Sequence, residues 1–220
     1  MQVLANSGVA SLLCVVHARY LYAGQNGGQG ECLKMAKGGS WMDLLPYGIF
    51  AQYAAVAADT FASELGILSS EVPILITDVA GLLKGKPTRV PRGTNGGVTL
   101  LGSLAGAVGA GLMGVVTVVV TPLCQGWSAN GKLWLMLGVT VWGTLGMLLD
   151  SVLGAAFQAS VIDVRTSRIV EGNGGMKVQY GANGQRKLIS GQDVLDNNGV
   201  NFVMAASMSI AGMIVLKLFS

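Results

Sequence analysis

The sequence predicts an all-α membrane protein, a polytopic helical bundle of about five transmembrane helices. Three observations predict it. Only 11% of the 220 residues are charged, where a soluble domain usually carries about 25%. Mean hydropathy is +0.57. The 33 glycines suit helices that approach one another through small residues.

A helix needs about 20 mostly apolar residues to cross the hydrocarbon core. The segments Val3 to Ala23, Trp41 to Leu68, Val98 to Thr121, Leu133 to Gln158 and Val200 to Phe219 qualify, within a single membrane domain covering 1–220. The first carries His17 and Arg19 but lacks the basic start and small-residue cleavage site of a signal peptide, so it reads as a retained helix. The second holds Asp59 and Glu64. The third lies within a stretch, Arg92 to Lys132, that has no charge between its ends. The fourth ends in an acid and an amide, and the fifth opens from an amide-rich segment.

Five spans place the loops 69–97 and 159–199 on the side of the N-terminus. Those loops hold Lys84, Lys86, Arg89, Arg92, Arg165, Arg168, Lys177, Arg186 and Lys187, whereas the other side holds Lys34, Lys37, Lys132 and Lys217. The positive-inside rule therefore expects the first set in the cytoplasm, with the N-terminus in and the C-terminus out. The other connections, Gly24 to Ser40 and Pro122 to Gly131, are short and chemically plain.

Composition also excludes some functions. A net charge of +3 with no clustered basic face argues against nucleic acid as a partner. One histidine and three scattered cysteines, Cys14, Cys32 and Cys124, give neither a zinc spacing nor a disulfide framework. The cysteines read as buried apolar fillers.

The chemistry gathers at one end. A carboxylate at membrane depth costs roughly 2.5 kcal/mol or more on insertion scales and needs a cation, water or metal as partner. Asp59 and Ser63 share a helix face, as do Thr60 and Glu64. Asp150, Gly154 and Gln158 recur every four residues and line another. Structural ion pairs with Arg89 or Arg168 are the alternative account of these acids. In Val90-Pro91-Arg92-Gly93-Thr94-Asn95-Gly96-Gly97 the glycines permit φ > 0, and the helix start beyond makes an anion site. An ordinary turn is the competing reading. Asp196, Asn197 and Asn198 open the last span, where Asp196 also reads as an N-cap.

These pieces read as a parallel repeat. Asp59-Thr60, a basic loop and Thr94-Asn95-Gly96-Gly97 are matched by Asp150-Ser151, a basic loop and Asn197-Asn198-Gly199. Such a repeat sets acids and helix starts around one axis and suits a metal-bound phosphate ligand. The segment Ser160 to Asp193, rich in glycine at Gly172, Gly174, Gly175, Gly181 and Gly184, reads as a flexible connection or a lid.

The same residues carry a resemblance. Ala58 to Gly66, Val90 to Val98, Asp150 to Ala155 with Gln158, and Ser190 to Asn201 resemble, in order and spacing, the transmembrane protein 19 family, whose plant members are phytyl-phosphate kinases. The resemblance runs over most of the chain from Gln2. It differs at Phe61, where the family often has Trp, and in lacking the family's usual upstream helices, as a truncated, alternative or shortened member would.

The resemblance implies a kinase that phosphorylates an isoprenoid monophosphate to the diphosphate with a nucleoside triphosphate. Its setting would be the bilayer of an endomembrane or organelle envelope, with the site facing the cytoplasm. In that scheme Asp59 and Asp150 hold Mg²⁺ and Glu64 is a third ligand or base. Arg92, Gly93, Thr94, Asn95, Gly96 and Gly97 cradle the nucleotide phosphates. Asp196, Asn197 and Asn198 orient the second phosphate, and Ser63, Gly154 and Gln158 face the substrate. Gly102, Gly106, Gly109, Gly138, Gly143 and Gly146 give the tail room or simply let helices pack. A transporter, or a catalytically inactive membrane protein, is the alternative to an enzyme; polar groups confined to one face favour the enzyme.

Overall fold

The structure, a computed structural model, describes residues 2–23, 32–36, 39–181 and 184–219. The expected connection at 24–31 and 37–38, with Lys37, lies outside the described residues, as do Ala182 and Asn183 of the glycine-rich segment. The long helices are α1 (Gln2–Ala23), α2 (Trp41–Gly66), α4 (Leu100–Val120), α5 (Ala129–Phe157) and α6 (Asn197–Phe219), with a short α3 (Val79–Leu83) between α2 and α4. The chain is a helical membrane protein.

Among the described residues, four helices are long and apolar enough to cross a membrane: α1, α4, α5 and α6. The five expected spans correspond to the five long helices, and α2 is the one outside that set of four. Helix α2, about 39 Å long at 1.5 Å per residue, has the length. It falls short in apolarity because it carries Asp43, Asp59 and Glu64. It tolerates them as the central helix, in contact with α1, α4, α5 and α6. Asp43 serves the helix start, accepting from the Ser40 N–H and hydroxyl at 2.9 Å each.

Small residues let the helices meet. Ala51, Ala54, Ala55 and Ala58 of α2 are buried. A Cβ added to Gly106 would lie 2.8 Å from the Ala58 carbonyl oxygen, one on Gly109 2.9 Å from that of Ala57, and one on Gly143 2.7 Å from that of Ala54. Those glycines, with Gly102 and Gly146, are occupied by helix packing and offer no room for a tail; of the six glycines expected to give it room, Gly138 alone faces open space.

At the end away from the acids, residues 32–34 lie against 122–124. Leu33 N–H donates to the Pro122 carbonyl at 2.7 Å, and Cys124 N–H to that of Leu33 at 3.1 Å. Cys32 and Cys124 form a disulfide, and Cys14 is exposed. Neither pairing nor exposure agrees with the reading of all three as buried fillers. The two loops had looked plain because their partners are 92 residues apart.

At the opposite end two small sheets interrupt the helices. β1 (Ile74–Leu75) pairs antiparallel with β2 (Gly97–Val98). β3 (Ser160–Asp163) stands between β4 (Arg168–Val170) and β5 (Arg186–Ser190), all antiparallel. The segment expected to be a flexible connection or lid thus contains a three-stranded sheet continuing from α5. Ile162 opposite Ile169 supplies the β-branched pair that favours it.

Candidate functional site

Helices α2 and α5 run in the same direction and bring Asp59 and Asp150 together. Their carboxyl groups lie within hydrogen-bonding reach of each other. Two like charges so placed within a helix bundle need a proton or a cation between them. Asp150 Oδ1 is buried and has no hydrogen-bond partner among the described residues. Among those residues no third Asp, Glu, His or Cys joins to complete a metal cluster.

Glu64 is not part of this pair. Five residues beyond Asp59, it sits about 140° round the helix and is exposed. Ser63 is exposed too, and its hydroxyl donates to the Thr60 carbonyl at 3.1 Å.

The loop ahead of α4 lies on the last turns of α5, just beyond Asp150. Gly96 makes this approach with φ of 76°. A Cβ there would fall 2.7 Å from the Ser151 carbonyl oxygen and run into Ala155, so only glycine fits. Gly93 takes φ of 83° at the loop's turn, and a Cβ on Gly97 would meet the Thr94 carbonyl oxygen at 2.9 Å. Asn95 donates its N–H to Ser160 Oγ at 3.0 Å and its side-chain amide to the Ala159 carbonyl at 3.1 Å. Buried Thr94 donates its hydroxyl to the Pro91 carbonyl at 2.7 Å. Both polar side chains expected on phosphate therefore donate into the fold. Arg92 is exposed.

Gly154 faces this loop: a Cβ on it would meet Asn95 Cβ at 3.7 Å, with Gln158 Oε1 and Gly96 N each at 3.8 Å. On its other flank α5 is wrapped by residues 191–195. Gln192 N–H donates to the Ala156 carbonyl, and those of Val194 and Leu195 to that of Phe157. These bonds satisfy the carbonyls a helix end leaves open. Gly191, with φ of 76°, presses against the Gln158 carbonyl.

Asp196 is the N-cap of α6, its Oδ1 accepting from Gly199 N–H at 2.8 Å. Asn198 donates its amide to the Gly174 carbonyl at 2.9 Å, while its Oδ1 is buried without a partner among the described residues. Asn197 lies beside Gly175. The end of α5 is thus the meeting point of the loop 91–97 and the segment 191–196. The parts to which the sequence had given no role are Ser160 and Gly191, which hold this junction, and Asn201, buried in the first turns of α6. An amide inside an apolar helix was the available signal for Asn201.

The family described as integral membrane protein DUF92 matches residues 1–209. Protein PGR of Arabidopsis thaliana is 38% identical over 206 residues, which are 92% of this chain and 64% of that protein. The uncharacterized membrane protein MJ0933 of Methanocaldococcus jannaschii is 39% identical over 111 residues, 50% of this chain and 40% of that one. The chain accordingly spans less than two thirds of either relative's length. No solved structure matches it significantly.

Proposed function

The chain belongs to the integral membrane protein DUF92 family, and from that premise we propose that it is a membrane-embedded kinase converting an isoprenoid monophosphate to its diphosphate. The resemblance to the transmembrane protein 19 family supplies the substrate class, phytyl or another prenyl phosphate. The observation that carries the reading is the contact between the Asp59 and Asp150 carboxyl groups at the end of the bundle.

The pair suits Mg²⁺. Such sites often use one or two carboxylates and take their other ligands from phosphate and water, and the orphaned Asp150 Oδ1 is an acceptor in need of a partner. Mg²⁺ held there would neutralise charge on the transferring phosphoryl group. In the reaction an oxygen of the substrate phosphate bonds to the γ-phosphorus. The bond from that phosphorus to the β–γ bridging oxygen breaks, and the nucleoside diphosphate leaves. A phosphate monoester, with a second pKa of about 6, is already mostly ionised at neutral pH and needs no strong base. Glu64, across the helix, is therefore dispensable as a base. Arg92, exposed and in no ion pair among the described residues, is the cation of the segment 91–97 for nucleotide phosphate. Gly96 and Asn95 fix that loop to α5, and Asp196 and Asn198 fix the start of α6.

The site end faces the cytoplasm in this reading, in an endomembrane or organelle envelope. The excess of basic residues on that end supports it. So does the disulfide at the other end, since such bonds persist in oxidising compartments.

The test is transfer of labelled γ-phosphate from CTP, UTP or ATP to phytyl or geranylgeranyl monophosphate, in membranes holding this chain, with and without Mg²⁺. The same assay is run on the chain joined to the N-terminal part of its plant relative. Mg²⁺-dependent diphosphate from either supports the kinase. Silence from both overturns it, and coupled uptake without nucleotide would put a transporter in its place.

A further inference from the structure

The loop between α2 and α4 is a rigid platform that turns apolar side chains outward. Asp78 stiffens it: Oδ2 accepts from the Thr88 hydroxyl at 2.7 Å and the Thr88 N–H at 2.8 Å, while Oδ1 accepts from Gly81 N–H at 2.9 Å. Lys86 N–H adds a bond to the Gly81 carbonyl at 2.8 Å. Glu71 Oε2 accepts from Leu100 N–H at 3.3 Å and ties the loop to the first residue of α4.

On this frame Val79 and Leu83, one helical turn apart, are 59% and 84% exposed. Ile67 and Leu68, just past the end of α2, are 72% and 73% exposed. Lys84, Lys86, Arg89 and Arg92 are exposed around them, and no ion pair among the described residues involves any of the four. Both acids of the loop, Glu71 and Asp78, accept from neutral local donors and keep their charge, and Lys84 is near enough to Asp78 to favour its ionised form. A half-open groove of about 640 Å³, lined in part by Glu71, Ile74, Lys86, Pro87 and Arg89, opens alongside.

We propose that this segment is an interfacial anchor: Val79, Leu83, Ile67 and Leu68 bed into the headgroup layer of an anionic leaflet, and Lys84, Lys86 and Arg89 bind its phosphates. Two features select lipid as the occupant. The loop leaves one long helix of the bundle and re-enters another, so its ends are held at the membrane surface. An exposed apolar ridge in a loop of net positive charge, four basic residues against two acids, is complementary to an anionic bilayer interface.

The test places a nitroxide at Leu83→Cys, in a Cys14→Ser background labelled without reductant, with the whole chain in vesicles of neutral lipid with or without anionic lipid. A second label at Leu188→Cys, exposed on β5, is the reference. With anionic lipid the label at 83 is expected to collide more with oxygen than with a water-soluble nickel complex, and the label at 188 to show the reverse. Lys84→Glu with Lys86→Glu should shift the label at 83 toward the nickel-accessible state. Equal nickel access at 83 and 188 overturns the proposal. So does a label at 83 shielded from both reagents, which would mean a second copy or another protein covers the ridge.

Discussion

Asn95 and Ser160, 65 residues apart, are joined by a hydrogen bond of 3.0 Å from the Asn95 N–H to the Ser160 hydroxyl oxygen. This bond links the loop before α4 to the strand that follows α5, across the helix end that carries Asp150. Ser160 is nearly fully buried. Ser160→Ala leaves a part-buried N–H without its acceptor and should cost about 1–3 kcal/mol of stability. Thermal unfolding of the purified protein in detergent checks this, and a drop in turnover should accompany it as the loop loses its register on α5.

Replacing Asp59 or Asp150 by Asn should have the opposite effect on stability. Without Mg²⁺ the pair needs a proton between its carboxyls, and an amide in place of either acid removes that need, so the midpoint of thermal unfolding should stay level or rise. Phosphoryl transfer should vanish in both variants while insertion is retained. Normal transfer by a well-inserted Asp59→Asn protein would remove Asp59 from the site.

The disulfide predicts a labelling pattern. After denaturation in sodium dodecyl sulfate, which frees Cys14 from the bilayer, a maleimide-linked polymer should add to Cys14 alone before reduction, and to Cys14, Cys32 and Cys124 after it. Cys32→Ser should lower stability by about 2–4 kcal/mol, the usual worth of a cross-link closing a long loop. Cys14→Ser should change it little.

Asp78 sets a pH dependence in the α2–α4 loop. Hydrogen bonds from the Thr88 hydroxyl, then from the Gly81 and Thr88 amides, hold its carboxyl below its ordinary value of 3.8. A depressed folded value means that the stabilisation is fully present above 3.8 and is lost as pH falls through the lower, folded one. Amide exchange at Gly81 and Thr88 should therefore be steadily protected down to the ordinary carboxylate range and lose protection only below it. Asp78→Ala should lose that protection already at neutral pH.

The helices were legible because long apolar runs bounded by charge permit little else in a bilayer. The acids of α2 and α5 were legible by their cost, and their contact follows from two parallel helices meeting through Ala and Gly. Glu64 was read as a partner of Asp59 although five residues along a helix turn it away. Asn95 and Thr94 looked like ligands because their own acceptors, the Ser160 hydroxyl and the Ala159 and Pro91 carbonyls, are fixed only by tertiary structure. Cys32 and Cys124 gave no local spacing to read. In the sheet of β3, β4 and β5, glycine-rich turns masked short strands.

The enclosure of α2 bears on how the protein is made. It leaves the ribosome after α1 and before α4, α5 and α6, yet those later helices provide most of its surroundings. Until α5 arrives, Asp59 has neither its neighbouring carboxyl nor the shelter of the bundle. Lateral release of α2 into lipid is thus coupled to the synthesis of helices encoded well downstream. A substitution in α5 can therefore appear first as a defect in the retention of α2, before any loss of chemistry is measured.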